Sequence, residues 1–165
     1  MSKEIGGNYT DWYKLLLSHI GGVRIEVATK DTIDLGGKGI VTKQPIRVFQ
    51  IKDDTLTPEE IKTIESIVAD PVCDIVSSFT PVLSKIGKYP DKNAIAIEQS
   101  PKPRVTDPDG EETRKAIQRT LGREIGPVSF SEQYVDIGKP LKPGEFVLLT
   151  KQLGNPLIND FYRAD

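Results

Sequence analysis

Polar and apolar residues alternate along several short stretches of the chain, which is the pattern of half-buried β-strands. In the segment VRIEVAT, Val23, Ile25 and Val27 alternate with Arg24 and Glu26, so we expect one face on the core and the other toward water. β-branched and aromatic residues predict further strands. These are IRVFQI (46–51), VCDIVSS (72–78), NAIAIEQ (93–99), SEQYVDI (131–137) and INDFYRA (158–164).

Helical signals occur between these strands. The segment at 55–72 has an apolar stripe and a marked start, with Thr57 as the N-cap, Pro58 at the first position and Glu60 completing a capping box. Pro71 disfavours helical geometry in the residue before it, so the helix is expected to stop there. Three further helices are predicted. They are a short one from Thr10 to His19, one at 109–122 that ends on Gly122, and one from Pro143 to Leu153.

The helix at 55–72 has a counterpart in KPLKPGEFVLLTKQLGNPL (139–157). Seven apolar, glutamate and proline positions recur at a constant distance of 85 residues, which indicates an internal duplication. The pairs are Leu56/Leu141, Pro58/Pro143, Glu60/Glu145, Ile61/Phe146, Ile64/Leu149, Val68/Leu153 and Pro71/Pro156. We therefore predict an α+β fold of two tandem strand-helix-strand-helix-strand halves related by a pseudo-twofold axis. Its sheets would be mainly antiparallel, with the helices outside and the sheets packed face to face.

The predicted organisation has four parts. A helical extension occupies residues 1–22, the first half 23–80, a linker 81–92 and the second half 93–165. The first half is degenerate, because a glycine-rich connector stands where its first helix should be. Since an internally paired chain has less need to self-associate, we expect a monomer or a weak dimer.

The composition and net charge of the chain argue against some classes of binding partner. The chain has 165 residues, a net charge of −2 and a pI near 5.5, which argues against nucleic acid and anionic membranes as partners. Cys73 is the single cysteine, so an intrachain disulfide and a cysteine-based zinc site are excluded. The N-terminus resembles neither a secretory signal nor a membrane span. We expect a cytoplasmic protein.

Few residues offer chemistry. His19 is the single histidine, at the end of a predicted helix, and a structural or solvated role is expected. Cys73 is interpreted as a small core residue rather than as a reactive thiol. The segment DLGGKG could form a backbone nest for an anion or a flexible turn. The nest would use Gly36, Gly37, Lys38 and Gly39.

The motif DPDGEE (107–112) resembles part of a calcium-binding loop. In that alignment Val105 and Ala116 would occupy the first and last ligand positions, and neither side chain can bind calcium. The motif therefore predicts a helix cap. We predict no catalytic residue, no metal site and no cofactor.

Three segments in order carry a family resemblance: VTDPDGEETRKAIQRTLG, VSFSEQYVDI and LLTKQLGNPLINDF. Together they resemble the PurS family, the small subunit of phosphoribosylformylglycinamidine synthase. The duplication is similar to the N-terminal domain of the long single-chain synthases, which has two PurS-like halves. The resemblance covers residues 93–165 well and 23–78 loosely.

The resemblance implies a non-catalytic accessory role in de novo purine biosynthesis, within an ATP- and glutamine-dependent ligase. The partners would be the synthetase (large) subunit and the glutaminase subunit, which such a unit bridges while supporting ammonia transfer. Candidate interaction residues are Asp107, Asp109, Gly110, Asn155 and Pro156. The alternative is a ferredoxin-like small-molecule-sensing regulatory module with DLGGKG as its effector loop. An independent enzyme is the third hypothesis.

Overall fold

A computed structural model provides the fold. The residues it describes are 3–4, 13–14, 17, 22–30, 33–34, 41–42, 45–82, 85, 94–101, 106–137 and 159–164. The strands are β1 (Lys3–Glu4), β2 (Val23–Thr29), β3 (Ile33–Asp34), β4 (Val41–Thr42), β5 (Ile46–Ile51), β6 (Asp74–Ser78), β7 (Ala94–Pro101), β8 (Val128–Ile137) and β9 (Asn159–Ala164). The helices are α1 (Pro58–Val68) and α2 (Pro108–Leu121).

The strands form one sheet in the order β1-β9-β7-β8-β5-β2-β6. All neighbours along this path are antiparallel except β1 and β9, and β3 pairs with β4, which in turn pairs with β8. The predicted α+β class with a mainly antiparallel sheet is thus confirmed. The predicted face-to-face stacking of two sheets is wrong, because β5 and β8 pair directly, from Ile46 opposite Gln133 to Ile51 opposite Val128. This pairing satisfies the main-chain groups that two separate edges would expose.

In each half of the sheet, the two strands that flank the middle strand are separated by the same number of residues in the sequence. In the first half, Ile25 of β2 lies between Phe49 of β5 and Ser78 of β6, which are 29 positions apart (78 minus 49). In the second half, Ile97 of β7 lies between Tyr134 of β8 and Arg163 of β9, which are also 29 positions apart (163 minus 134). Each central strand is therefore flanked by partners at the same sequence separation.

Local sequence signals define both helices. In α1 the predicted capping box is present: the Glu60 N–H donates to Thr57 Oγ1 at 3.1 Å, and the Thr57 N–H donates to Glu60 Oε1 at 3.0 Å. Helix α2 begins at Pro108 with Asp107 as its cap and ends at Gly122, whose φ of 70° is left-handed. Glycine adopts this conformation without steric cost, so the helix stops there.

The apolar core lies between the helices and one face of the sheet. Ile25 of β2 and Phe49 of β5 contribute from the sheet, while Ile64 of α1 and Ile117 of α2 contribute from the helices. Burying one such side chain stabilises the fold by roughly 1.5–3 kcal/mol. The complete buried cluster is Val23, Ile25, Val27, Phe49, Ile51, Ile64, Val68, Ile117, Ile125 and Val128.

The opposite face of β2 is also buried, which the alternating pattern did not predict. Arg24 and Glu26 are both 0 % exposed, so the strand is not half-buried. Cys73 shows the reverse error: it is exposed, and its interpretation as a core residue is wrong. Of the predicted N-terminal helix, Tyr13, Lys14 and Leu17 are described and helical. The predicted helix from 143 to 153 lies outside the described residues.

Candidate functional site

The Asp-Pro-Asp-Gly motif forms the start of α2 and its junction with β8. Asp107 Oδ1 accepts a hydrogen bond from the Gly110 N–H at 3.0 Å, as an N-cap does. Its Oδ2 accepts the Phe130 N–H of β8 at 2.9 Å. One carboxylate therefore fixes the start of the helix and ties that start to the sheet.

Gly110 allows the close approach of α2 to β8. A Cβ atom at this position would overlap the carbonyl oxygen of Val128 and lie 2.7 Å from Asp107 Oδ2. Gly110 is buried, whereas Asp109 beside it is exposed. Asp107 and Gly110 thus have structural roles, and Asp109 is the one of these three candidate interaction residues whose side chain is exposed. The motif borders a depression of about 160 Å³ that Phe130 and Glu132 also line.

The other candidate residues lie outside the described parts of the chain. These are Asn155 and Pro156, and the proposed anion nest of Gly36, Gly37, Lys38 and Gly39. Their roles remain predictions. His19 lies outside them as well.

A buried charged cluster occupies the sheet face opposite the helices. The Arg24 guanidinium donates from Nη1 to Glu98 Oε2 at 3.0 Å and from Nη2 to Glu98 Oε1 at 2.5 Å, and its Nε donates to Glu26 Oε2 at 3.1 Å. Glu26 Oε1 accepts the Val82 N–H at 3.0 Å, and Gln133 Nε2 lies 3.4 Å from Glu98 Oε1. Every carboxylate oxygen in the cluster therefore has a donor. Such a saturated arrangement holds strands together rather than leaving groups for a ligand.

The cluster joins two strands that are not neighbours in the sheet. Arg24 lies on β2 and Glu98 on β7, with β5 and β8 between them. Three strand spacings span about 14 Å in a flat sheet, and side chains stand roughly perpendicular to it. The two long side chains therefore reach toward each other over β5 and β8 to make this contact. The Tyr13 ring lies over the guanidinium, with its centroid 5.2 Å from Arg24 Cζ, and helps to cover the cluster.

Burial and charge perturb the acid–base properties of the cluster. Burial alone would lower the pKa of Arg24, but the carboxylates of Glu98 and Glu26 raise it overall, so the guanidinium stays charged. Burial raises the pKa of Glu26, against the opposing effects of Arg24 and the Val82 amide. Burial, followed by the nearby Glu26, also raises the pKa of Tyr13. The cluster brings two carboxylates to one guanidinium in a site that excludes water.

A second polar junction joins α1 to the loop after α2. Arg123 donates from Nε to Glu60 Oε2 at 2.9 Å and from Nη2 to Glu60 Oε1 at 3.0 Å. These hydrogen bonds, with that of the Thr57 N–H, lower the pKa of Glu60 to about 2. Asp53 Oδ2 accepts the Gly126 N–H at 3.0 Å, and its pKa is lowered, first by Thr55 and then by Gly126.

The two members of each acidic pair, Asp53–Asp54 and Glu59–Glu60, differ in their surroundings. One member of each pair contacts the other half of the chain. Asp53 accepts the Gly126 N–H, and Glu60 forms the ion pair with Arg123, whereas Asp54 and Glu59 are exposed.

Two large apolar side chains are exposed among the described residues, Val72 and Phe79. They lie at opposite ends of β6, and Phe79 adopts a left-handed φ of 65°. Isolated exposed apolar residues are common on soluble domains, so these two do not define a binding patch.

Sequence patterns missed the buried cluster because Arg24 and Glu98 are 74 residues apart. In the sequence, the cluster is visible only as the charged residues Arg24 and Glu26 at two alternate positions of one strand. A strand with one solvent-exposed face has the same pattern. Within the described ranges, no group of three histidine, cysteine or acidic side chains is placed to bind a metal ion. The described helices include none with the length and apolar character to cross a bilayer.

Comparison with known proteins adds no relative. The chain matches no family model, and neither the curated proteins nor the solved structures give a significant match.

Proposed function

We propose that the chain is a non-catalytic accessory subunit or domain of phosphoribosylformylglycinamidine synthase in de novo purine biosynthesis. In this role it bridges the synthetase and glutaminase subunits in the cytoplasm and supports the transfer of ammonia between them. Each half is PurS-like, and the two halves are related by a pseudo-twofold axis.

Equal strand spacing is the observation that carries the proposal. The flanking strands are 29 positions apart in both halves, as given by the partners of Ile25 and of Ile97. The repeated helix sequence recurs at a distance of 85 residues and falls between those flanking strands. A duplicated strand-helix-strand unit accounts for both numbers at once.

The pairing of β5 with β8 is consistent with the offset of 85 residues between the two halves. With an offset of 85, Arg47 corresponds to Glu132, and these two residues lie directly opposite each other. A local twofold axis would pass between them. The same offset keeps the helix-facing residues of the two strands in register, with Phe49 corresponding to Tyr134.

The test is association with the two subunits from the same source. The chain, the synthetase and the glutaminase are mixed with ADP and glutamine and separated by size-exclusion chromatography. Co-elution of all three is expected, and the absence of any complex would contradict the proposal. If one small molecule instead raises the melting temperature of the isolated chain saturably, the ferredoxin-like sensor is favoured.

A charge-reversing variant tests Asp109, the exposed charged residue of the helix motif. Asp109→Lys should weaken the association by roughly tenfold, which corresponds to about 1.4 kcal/mol. The matched control is Glu112→Lys, which reverses an exposed charge on the same helix. Equal binding by the two variants in isothermal titration calorimetry would exclude Asp109 from the interface. Similar urea midpoints for both would show that folding is unaffected.

A further inference from the structure

Much of the junction between β5 and β8 consists of contacts that do not select a particular partner. The two strands form a main-chain ladder, and the rings of Phe49 and Phe130 pack with their centroids 5.3 Å apart. Main-chain hydrogen bonds form with any extended strand, and apolar contacts form with many. The chain has two similar units, a first unit (residues 23–80) and a second unit (residues 93–165). Such a junction would also accept the second unit of another copy in place of the first unit.

The buried ion pair differs from the main-chain and apolar contacts, because it depends on charge. Since Ile25 and Ile97 occupy corresponding positions, Glu26 corresponds to Glu98, and Arg24 corresponds to Ala96. Both units therefore bring a glutamate to this face of the sheet, but the first unit brings the arginine. Arg24 contacts both carboxylates.

We infer that the Arg24–Glu98 ion pair selects what can pair with the second unit: a first unit is accepted, and the second unit of another copy is rejected. Two second units joined through β8 would bury both Glu98 carboxylates with Ala96 in place of the arginine. An uncompensated buried carboxylate is strongly unfavourable, so this dimer is suppressed. The inference rests on the correspondence between the units and is independent of the role in purine biosynthesis.

The test neutralises the cluster and traps the rejected pairing. The neutral variant carries Arg24→Met, Glu26→Gln and Glu98→Met, which preserve side-chain length and keep an acceptor for the Val82 N–H. Glu132→Cys is added, because residue 132 would face itself across a β8–β8 ladder. Directly opposed Cα atoms lie about 4.5–5.5 Å apart, a distance that a disulfide can bridge. Cys73→Ser removes the native thiol.

The expected result is a disulfide-linked dimer of the neutral variant on non-reducing gels, with a mass about twice that of one chain in light scattering. The matched control carries Glu132→Cys and Cys73→Ser with the charged cluster intact, and it should remain at the wild-type mass without cross-linking. The unaltered chain, in which Cys73 is exposed, measures cross-linking by random collision.

Three results would overturn the inference. The neutral variant could fold with a native circular dichroism spectrum and cross-link no more than the charged control. The charged control could cross-link as strongly as the neutral variant. Finally, the neutral variant could lose cooperative unfolding, which would mean that the charges are required for folding itself rather than for the choice of partner.

Discussion

Replacing Arg24 with methionine removes the positive charge of the buried cluster while keeping an unbranched chain of similar length. The substitution deletes three hydrogen bonds, two to Glu98 and one to Glu26. Glu98 retains Gln133 at 3.4 Å, and Glu26 retains the Val82 N–H. Two carboxylates then remain buried without a counter-ion.

Arg24→Met is expected to remove a large part of the free energy of unfolding. Arg24 and Glu26 are both 0 % exposed and Glu98 is 1 % exposed, so solvent cannot replace the guanidinium. Removing one partner of a buried ion pair costs about 3–5 kcal/mol. Typical domains are stable by only about 5–15 kcal/mol. Arg24→Met should therefore be marginally folded at neutral pH.

The loss should depend on pH. Burial already raises the pKa of Glu26 in the wild type, and loss of the opposing Arg24 charge raises it further above the unfolded value of about 4.3. A carboxyl group with a raised pKa contributes stability that is present at low pH and is lost as the pH rises through this window. The difference between wild type and Arg24→Met should thus be smaller at pH 5 than at pH 8.

Urea unfolding followed by circular dichroism at pH 5, 6, 7 and 8 measures this prediction. The matched control is Arg123→Met. It also removes an arginine–glutamate pair held by two hydrogen bonds between the halves, but at a partly exposed site. Its loss should be much smaller and should not grow between pH 5 and pH 8. A loss for Arg24→Met that equals the control, or that does not change with pH, would refute the reasoning.

Two further predictions concern the helices. Gly110→Ala should destabilise the chain by about 1–3 kcal/mol, because its Cβ would overlap the Val128 carbonyl oxygen. The exposed control Glu112→Ala should change the urea midpoint little, and a stabilised Gly110→Ala would contradict the close approach. Glu60→Gln should lower stability above pH 4.5, because Arg123 holds the pKa of Glu60 at about 2. Since that stability is lost as the pH falls toward 2, the two midpoints should converge in acid. If the urea midpoints of the wild type and Glu60→Gln still differ at pH 2, the ionised form of Glu60 is not the source of the difference in stability.

Local signals in the sequence predicted the helices and most strands. Thr57 and Glu60 form the predicted capping box, and Gly122 ends α2 as predicted. Such signals succeed because the residues involved lie within one helical turn, so their hydrogen bonds form wherever the helix is placed. Strand β9 also agrees closely with its predicted segment.

The candidate site was predicted only in part. The Asp107 motif was located correctly as a helix cap, but its bond to Phe130, 23 residues away, was not predictable from the cap pattern. The burial of Arg24 and the exposure of Cys73 were both predicted wrongly. Polarity along one strand shows which residues alternate, but not what lies against either face.

The sequence by itself determined where the two helices α1 and α2 begin and end, which faces of the strands carry apolar residues, and that a helix-strand pattern recurs at a distance of 85 residues. Only the tertiary structure decided that β5 and β8 pair within one sheet, and that Arg24 meets Glu98 across two intervening strands. The reason is that capping and periodicity depend on neighbours in the chain, whereas the stability of a buried charge depends on a partner that only folding brings close.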